Sequence, residues 1–141
     1  MQKFDGRVAV VTGGGAGIGR ATCLRFANAG AAVVVAEVNE ETGARTAADI
    51  IEAGGKSLFV HTDVSDESSV AAMIGAVTVA YGRIDILVNN AAIFVLKGID
   101  ATVDDWREIL GVNVIGTALV AKHAVPEMRK VGGGAIINLA S

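Results

Sequence analysis

Five short runs of small and β-branched apolar residues, at 7–12, 32–37, 56–61, 84–89 and 135–140, alternate with longer stretches of helical periodicity. This alternation constrains the fold more than any other feature. Each run is apolar nearly throughout, as a parallel strand covered on both faces requires. Helical stretches fill the gaps. One spans 18–29 after a glycine-rich loop, and one spans 40–53 and stops at Gly54-Gly55. A third, 66–81, sets Val70, Met73, Ile74 and Val77 on one stripe and ends at Gly82. The last runs from about 102 to 130, opens with Thr102 and Asp105 at capping-box spacing and ends at Gly132-Gly133-Gly134. Strand and helix in strict succession imply right-handed crossovers and an α/β, doubly wound parallel sheet of five strands. No linker or change of composition divides residues 1–141, so one domain is expected.

Composition narrows the function classes. Apolar residues make up 52 % of the chain and aromatics 4 %, which suits buried Val and Ile strands under closely packed helices. The net charge is −3 and the twelve basic residues are scattered. Nucleic-acid binding needs a concentrated basic face, so no nucleic-acid partner is expected. Cys23 is the single cysteine, which excludes an internal disulfide and a cysteine-rich metal site. His61 and His123 are too far apart in sequence to suggest a metal pair, and no metal is expected. The apolar run at 8–11 is too short for a signal-peptide core, and no apolar stretch reads as long enough to cross a bilayer. A cytoplasmic protein without a membrane partner is the default expectation.

The polar residues gather at the carboxyl ends of the strands. Those ends are Thr12-Gly13, Glu37, His61-Thr62-Asp63, Asn89-Asn90 and Ser141. Open α/β sheets bind ligands there. The first loop, Thr12-Gly13-Gly14-Gly15-Ala16-Gly17-Ile18-Gly19, lets the backbone approach a diphosphate, with the positive end of the next helix behind it. It departs from the general Gly-x-Gly-x-x-Gly dinucleotide pattern, and a glycine-rich turn without a ligand is the plainer alternative. No Gly-Lys-Ser/Thr follows, which argues against a P-loop.

Glu37 ends the second strand, where a carboxylate accepts hydrogen bonds from adenosine ribose hydroxyls and repels a 2′-phosphate. Two like charges ~4 Å apart at an effective dielectric of ~20 cost roughly 4 kcal/mol, on the order of three decades in affinity. No basic residue in the loop or just after Glu37 offsets this, so NAD is favoured over NADP. An exposed acid before a helix is the competing reading. Asn113 shares a helical stripe with Trp106, Leu110, Thr117, Val120 and Ala124. A core-facing Asn must find partners, and a structural Asn at a helix irregularity explains it as well as a catalytic one.

With these residues in view, the whole chain resembles the short-chain dehydrogenase/reductase family, whose fold is of the Rossmann type. The matching motifs are Thr12-Gly13-x-x-x-Gly17-Ile18-Gly19, Asp63-Val64, Asp85-x-Leu87-Val88-Asn89-Asn90-Ala91, Asn113 and Ile136-Ile137-Asn138-Leu139-Ala140-Ser141. The resemblance implies sheet order 3-2-1-4-5 and a set of roles. Thr12, Gly13, Gly17, Ile18 and Gly19 would form the NAD diphosphate loop, and Glu37 would bind the ribose. Asp63 and Val64 would contact adenine, while Asn89 and Ala91 would support the cofactor and central strand. Asn113 would hold a water in the proton relay, and Ser141 would hydrogen-bond a small alcohol or ketone substrate. Ala92 replaces the family's usual glycine, an added methyl the backbone is expected to absorb.

The family's catalytic Tyr, and the Lys one helical turn later, would fall about a dozen residues beyond Ser141. Tyr81 ends a helix and is no substitute. A positioned acid/base contributes about 10²–10⁴-fold, so an N-terminal fragment without catalytic turnover is expected. The complete protein would be a homo-oligomeric NAD-dependent oxidoreductase acting on CH–OH groups by hydride transfer. Residues 133–140 would form an open apolar sheet edge. A non-catalytic NAD-binding module and a Rossmann-like methyltransferase are the alternatives. The Asn89-Asn90-Ala91 and Asn113 pattern counts against the methyltransferase. Cys23 reads as a small buried hydrophobe, Trp106 as packed at the start of its helix, and Pro126 as a helix bend.

Overall fold

The computed structural model describes residues 1–140; Ser141 lies outside them. The strands are β1 (Val8–Thr12), β2 (Ala32–Glu37), β3 (Lys56–His61), β4 (Ile86–Asn89) and β5 (Ala135–Asn138). They form one parallel sheet in the order β3-β2-β1-β4-β5. The crossovers carry α1 (Gly17–Asn28), α2 (Glu40–Glu52), α3 (Glu67–Tyr81), α4 (Val103–Leu110) and α5 (Thr117–Lys130). The expected fold class and strand order are therefore both present.

Sequence alternation in the strands feeds two cores. Val8, Val10, Val34 and Ala36 face α3 and α5, where Val70, Met73, Val77, Val120, Ala124 and Met128 are buried. Ala9, Val11, Val33 and Val35 face the other way, onto Cys23 of α1 and Ala47 and Ile50 of α2. Each valine taken fully out of water contributes roughly 1.5–3 kcal/mol, which is why the inner strands carry no alternating polar residues. β5 differs. It pairs only with β4, all four of its residues are exposed, and it forms the expected open edge.

Helix starts follow their capping residues. Asn39 accepts from Thr42 N at 3.0 Å and Asp66 from Ser68 N at 3.0 Å. Thr102 and Asp105 form the reciprocal capping box. Gly82, at φ +70°, closes α3 in the left-handed conformation that only glycine adopts without strain. α5 continues directly from the turn before it and needs no cap; α1 is the exception among helices that start from a loop, since its N-cap is Ala16, no side chain caps it, and its first turn carries no acid.

Three expectations need correction. The single helix over 102–130 is interrupted by a π-helical turn, Gly111–Gly116, between α4 and α5. The stripe around Asn113 faces the core only in its later part: Val120 and Ala124 are buried, but Trp106 is 54 % and Leu110 47 % exposed. Trp106 is thus not packed at its helix start. Finally, Val103–Lys130 forms 28 helical residues with a mean hydropathy of 1.4 in its most apolar window. That is long and apolar enough to cross a membrane, contrary to expectation. Leu110, Val112, Val114, Ile115, Leu119 and Val120 raise its hydropathy without forming one unbroken apolar run. Here the helix lies on the sheet through Val120, Ala124 and Met128.

Candidate functional site

The carboxyl ends of β1 and β4 are locked by a clasp. Thr12 Oγ1 is buried and accepts from Asn90 N and Ala91 N, each at 3.0 Å, while donating to Val88 O at 3.4 Å. Asn90 Nδ2 donates back to Thr12 O and Gly13 O, each at 3.1 Å. Gly13 takes φ +66°, and a Cβ there would sit 2.9 Å from both Ala91 Cα and Asn90 Nδ2. At Gly19 a Cβ would overlap the Gly13 carbonyl oxygen and Asn90 Nδ2. These glycines let two strand ends and a helix meet at backbone distance. Gly17 serves differently. It takes φ +51° and a Cβ there would meet nothing, so its backbone faces open space. Beside it, Ile18 is 65 % exposed on the first turn of α1.

Glu37 lies across from this loop. Its Oε1 accepts from Gly15 N at 3.1 Å, and its Oε2 from Val38 N at 2.8 Å and Asn39 N at 3.4 Å. It is therefore a bound carboxylate and not a loose surface acid. Gly43 lets α2 press onto this strand end, since a Cβ there would meet Glu37 Cβ at 3.0 Å and overlap the Phe59 ring. Just after β3, Thr62 N donates to Glu37 O at 2.9 Å, which places Asp63 beside the same strand end. Asp63 Oδ1 accepts from Ser65 N and Ser65 Oγ, at 2.9 and 2.6 Å. Val64 is buried and fits against Gly116, where a Cβ would come 2.6 Å from Val64 Cγ2. The glycine at the end of the π-helical turn thus admits the neighbouring loop.

Asn113 sits inside that turn. Its Oδ1 accepts from Ile93 N at 2.8 Å and its Nδ2 donates to Ile93 O at 2.9 Å. Both polar atoms of the side chain are spent on anchoring the segment after β4. π turns recur at functional sites; here the Asn113 side chain ties the irregular turn to Ile93, and its main-chain oxygen accepts from Thr117 Oγ1 at 3.0 Å. Asn113→Ala should cost about 1–3 kcal/mol for the two lost bonds and speed limited proteolysis within residues 92–102. An unchanged cleavage pattern would refute the anchor.

Asn89 is 5 % exposed and donates from Nδ2 to Asn138 Oδ1 at 2.9 Å, joining β4 to β5. Its Oδ1 finds no partner among the described residues. Thr12, Gly13, Gly17, Ile18, Gly19, Glu37, Asp63, Val64, Asn89, Ala91 and Asn113 all lie at or near the carboxyl edge of the sheet, as the sequence implied. Ser141 lies outside the described residues.

Two contributors escaped the sequence reading. Asn90, within the quoted motif but given no role, makes the clasp; the signal was the Asn doublet at a strand end. Gly15, one of three consecutive glycines, is the partner of Glu37.

A cavity of about 580 Å³ lies at the opposite edge, lined by Arg7, Val8, Ala32, Lys56, Tyr81 and Arg83. It is built from residues at the amino ends of the strands, whereas ligands of open α/β sheets bind outside the carboxyl ends. Burial raises the pKa of Tyr81 at that far cavity, away from the clasp. Cys23 is fully buried under the glycine loop. Burial, with the Glu37 charge adding to it, pushes its thiol up to about 12, which makes it a poor nucleophile. No cluster of potential metal ligands occurs among the described residues.

The family model for short chain dehydrogenase matches residues 7–141. The short chain dehydrogenase/reductase astE of Aspergillus oryzae is 50 % identical over 146 residues, covering 99 % of this chain and 56 % of its own. The meso-2,3-butanediol dehydrogenase of Serratia marcescens is 40 % identical, covering 99 % of this chain and 55 % of its own. Among solved structures, a short chain dehydrogenase/reductase of Burkholderia phymatum in complex with NAD superposes with a TM-score of 0.91 at 36 % identity, covering 100 % of this chain and 51 % of its own. A metagenomic short-chain oxidoreductase in complex with NADP gives 0.93 at 33 % identity, covering 98 % of this chain and 63 % of its own. The chain spans about half the length of the curated relatives it matches. It belongs to the short-chain dehydrogenase/reductase family.

Proposed function

We propose that this chain forms the nicotinamide-dinucleotide half of an oxidoreductase acting on alcohols and ketones, with NAD preferred over NADP. The observation that carries the reading is the uncapped N-terminus of α1, reached through the clasped glycine loop. α2, α3 and α4 each begin under a side-chain cap, whereas the first amides of α1 have no such partner. Free helix-start amides, a bare backbone at Gly17 and a positive dipole end suit a diphosphate. Glu37, on the neighbouring strand end, suits a ribose diol. Asp63 and Val64 suit the adenine side. Asn89, Ala91 and Asn113 brace the other half of the cleft, and Ser141 would meet the substrate oxygen.

The NAD preference rests on Glu37. A candidate to offset its charge is Arg20, which follows Gly19. Its guanidinium is held by Asp49 at 2.6 Å and is committed to joining α1 to α2. A bound nicotinamide supplies the hydride acceptor or donor; the chain's residues bind and orient it. The alcohol or ketone class follows from the relatives, which include a butanediol dehydrogenase, a hydroxycyclohexanecarboxylate dehydrogenase and a hydroxysteroid dehydrogenase.

Because the resemblance puts the general acid/base beyond Ser141, binding is the informative assay. NADH fluorescence should rise saturably with the purified chain, NAD should compete, and S-adenosylmethionine should not. NADPH should bind at least about tenfold more weakly, the charge repulsion being reduced by solvent from its upper bound. Absence of a saturable NADH signal would overturn the site, and equal affinities for NADH and NADPH would overturn the preference.

A further inference from the structure

We propose that Glu37 has a second task, independent of any ribose contact: it is the peg that holds the glycine loop in its binding shape. The bond from Gly15 N to Glu37 Oε1 joins residues 22 apart in the chain and is partly buried. The fit is close. A Cβ on Gly15 would lie 2.6 Å from Glu37 Oε1 and 2.5 Å from Thr42 Oγ1. Gly15 has no positive φ to explain it; it is glycine because the carboxylate and Thr42 occupy the space of a side chain. The peg is itself held, since Oε2 is fixed by the Val38 and Asn39 amides and Gly43 lets α2 rest against Glu37 Cβ.

The consequence is a coupling between specificity and loop order. Removing the Glu37 side chain relieves repulsion toward a 2′-phosphate but also frees the Gly15 amide. A neutral residue that still offers an acceptor separates the two effects. In Glu37→Gln the amide oxygen should turn to Gly15, whose amide is partly buried, because the Val38 and Asn39 amides are exposed and water can satisfy them. Glu37→Gln thus removes charge and keeps the peg, and Glu37→Ala removes both.

The test compares wild type, Glu37→Gln and Glu37→Ala. The first readout, hydrogen exchange at the Gly15 amide, needs no nucleotide. Exchange should be at least about tenfold faster in Glu37→Ala, in line with loss of a hydrogen bond to a charged acceptor, and intermediate in Glu37→Gln, where a neutral oxygen takes its place. The second readout is affinity for NADH and NADPH. Glu37→Gln should bind both several-fold more tightly than Glu37→Ala, whereas a purely electrostatic Glu37 predicts that the two variants gain NADPH equally; a Gln that acts only by accepting from the ribose predicts the same affinity order with exchange at Gly15 unchanged in both variants. Exchange at Gly15 unchanged in Glu37→Ala would overturn the peg. If the exchange changes as expected but wild type binds neither dinucleotide, the peg stands and the cofactor reading fails. A thermal melt of each variant identifies unfolding, in which case exchange would rise across the whole sheet rather than at the loop.

Discussion

Gly19→Ala is expected to abolish measurable NADH binding and to destabilise the fold, the largest effect of any single methyl in this chain. The added Cβ would fall onto the Gly13 carbonyl oxygen and Asn90 Nδ2. Neither can retreat. The oxygen is main chain, in a residue whose own amide is bonded to Ala36 O at 2.8 Å, and the Asn90 amide is tied to Thr12 O and Gly13 O. The helix must therefore lift from the strand ends, which opens the clasp and withdraws the free amides of α1 together. Overpacking a tight site costs about 1–3 kcal/mol, occasionally more, and a main-chain collision belongs at the upper end. Gly17→Ala is the control. There the penalty is confined to a left-handed φ of +51° with no neighbour in the way, about 1–2 kcal/mol, and the clasp survives. Fluorescence titration and thermal melts of both variants decide the matter. Gly19→Ala binding NADH within twofold of wild type would mean that the loop tolerates displacement and that its tight packing is incidental to binding.

How far the sequence was legible follows from the range of the interactions involved. Strand runs such as Val33-Val34-Val35, and the stop at Gly82, are local signals, and they placed the elements to within about two residues. The strand-end residues Thr12, Glu37, Asp63 and Asn89 were legible as a set because a parallel sheet brings every strand's carboxyl end to one edge. What could not be read depends on pairings between distant residues. Asn90 sits beside Gly13 only because β1 and β4 are neighbours, and Gly15 meets Glu37 only because β1 and β2 are.

The α4–α5 region failed for another reason. Helical periodicity over 102–130 does not distinguish an α turn from a π turn, and the π turn rotates the later stripe relative to the earlier one. Trp106 and Leu110 are therefore exposed while Val120 and Ala124 are buried. Asn113 stands out in the sequence as a polar interruption, but the use of both its side-chain atoms on Ile93 depends on a contact 20 residues away in the chain. The exposed strand β5 also shows why the expectation of an edge held: nothing beyond β4 pairs with it among the described residues.

Acid should weaken this protein at a buried residue far from the site, Asp85. It is 5 % exposed, just before β4, and it joins three strands at the amino edge. Its carboxylate accepts from Val8 N at 2.9 Å, Arg7 Nη1 at 2.9 Å, and Arg83 Nε and Nη2 at 2.8 and 2.6 Å. Its main chain bonds Val8 O at 3.0 Å and Ala135 N at 2.9 Å. Burial by itself would raise the carboxyl, but the bonds from Arg83, Arg7 and the Val8 amide outweigh it and bring the pKa from 3.8 down to about 2. The folded state thus binds its proton less readily than the unfolded chain. The resulting stability is fully present above the unfolded pKa near 4 and is lost as pH falls through about 2. The shift corresponds to about 2 kcal/mol, rounded down because Arg7 is half exposed. Asp85→Asn should lose about that much at pH 7, and Asp85→Ala about 1 kcal/mol more because the Val8 amide is left without an acceptor. Denaturant melts of wild type and Asp85→Asn should differ at pH 7 and converge as the pH approaches 2. A gap that persists unchanged in acid would assign the loss to packing and not to charge. NADH affinity of folded Asp85→Asn should match wild type, because Thr12, Asn90 and the loop lie at the other end of the same strands; a parallel fall in affinity would show that register errors at the amino edge reach the clasp.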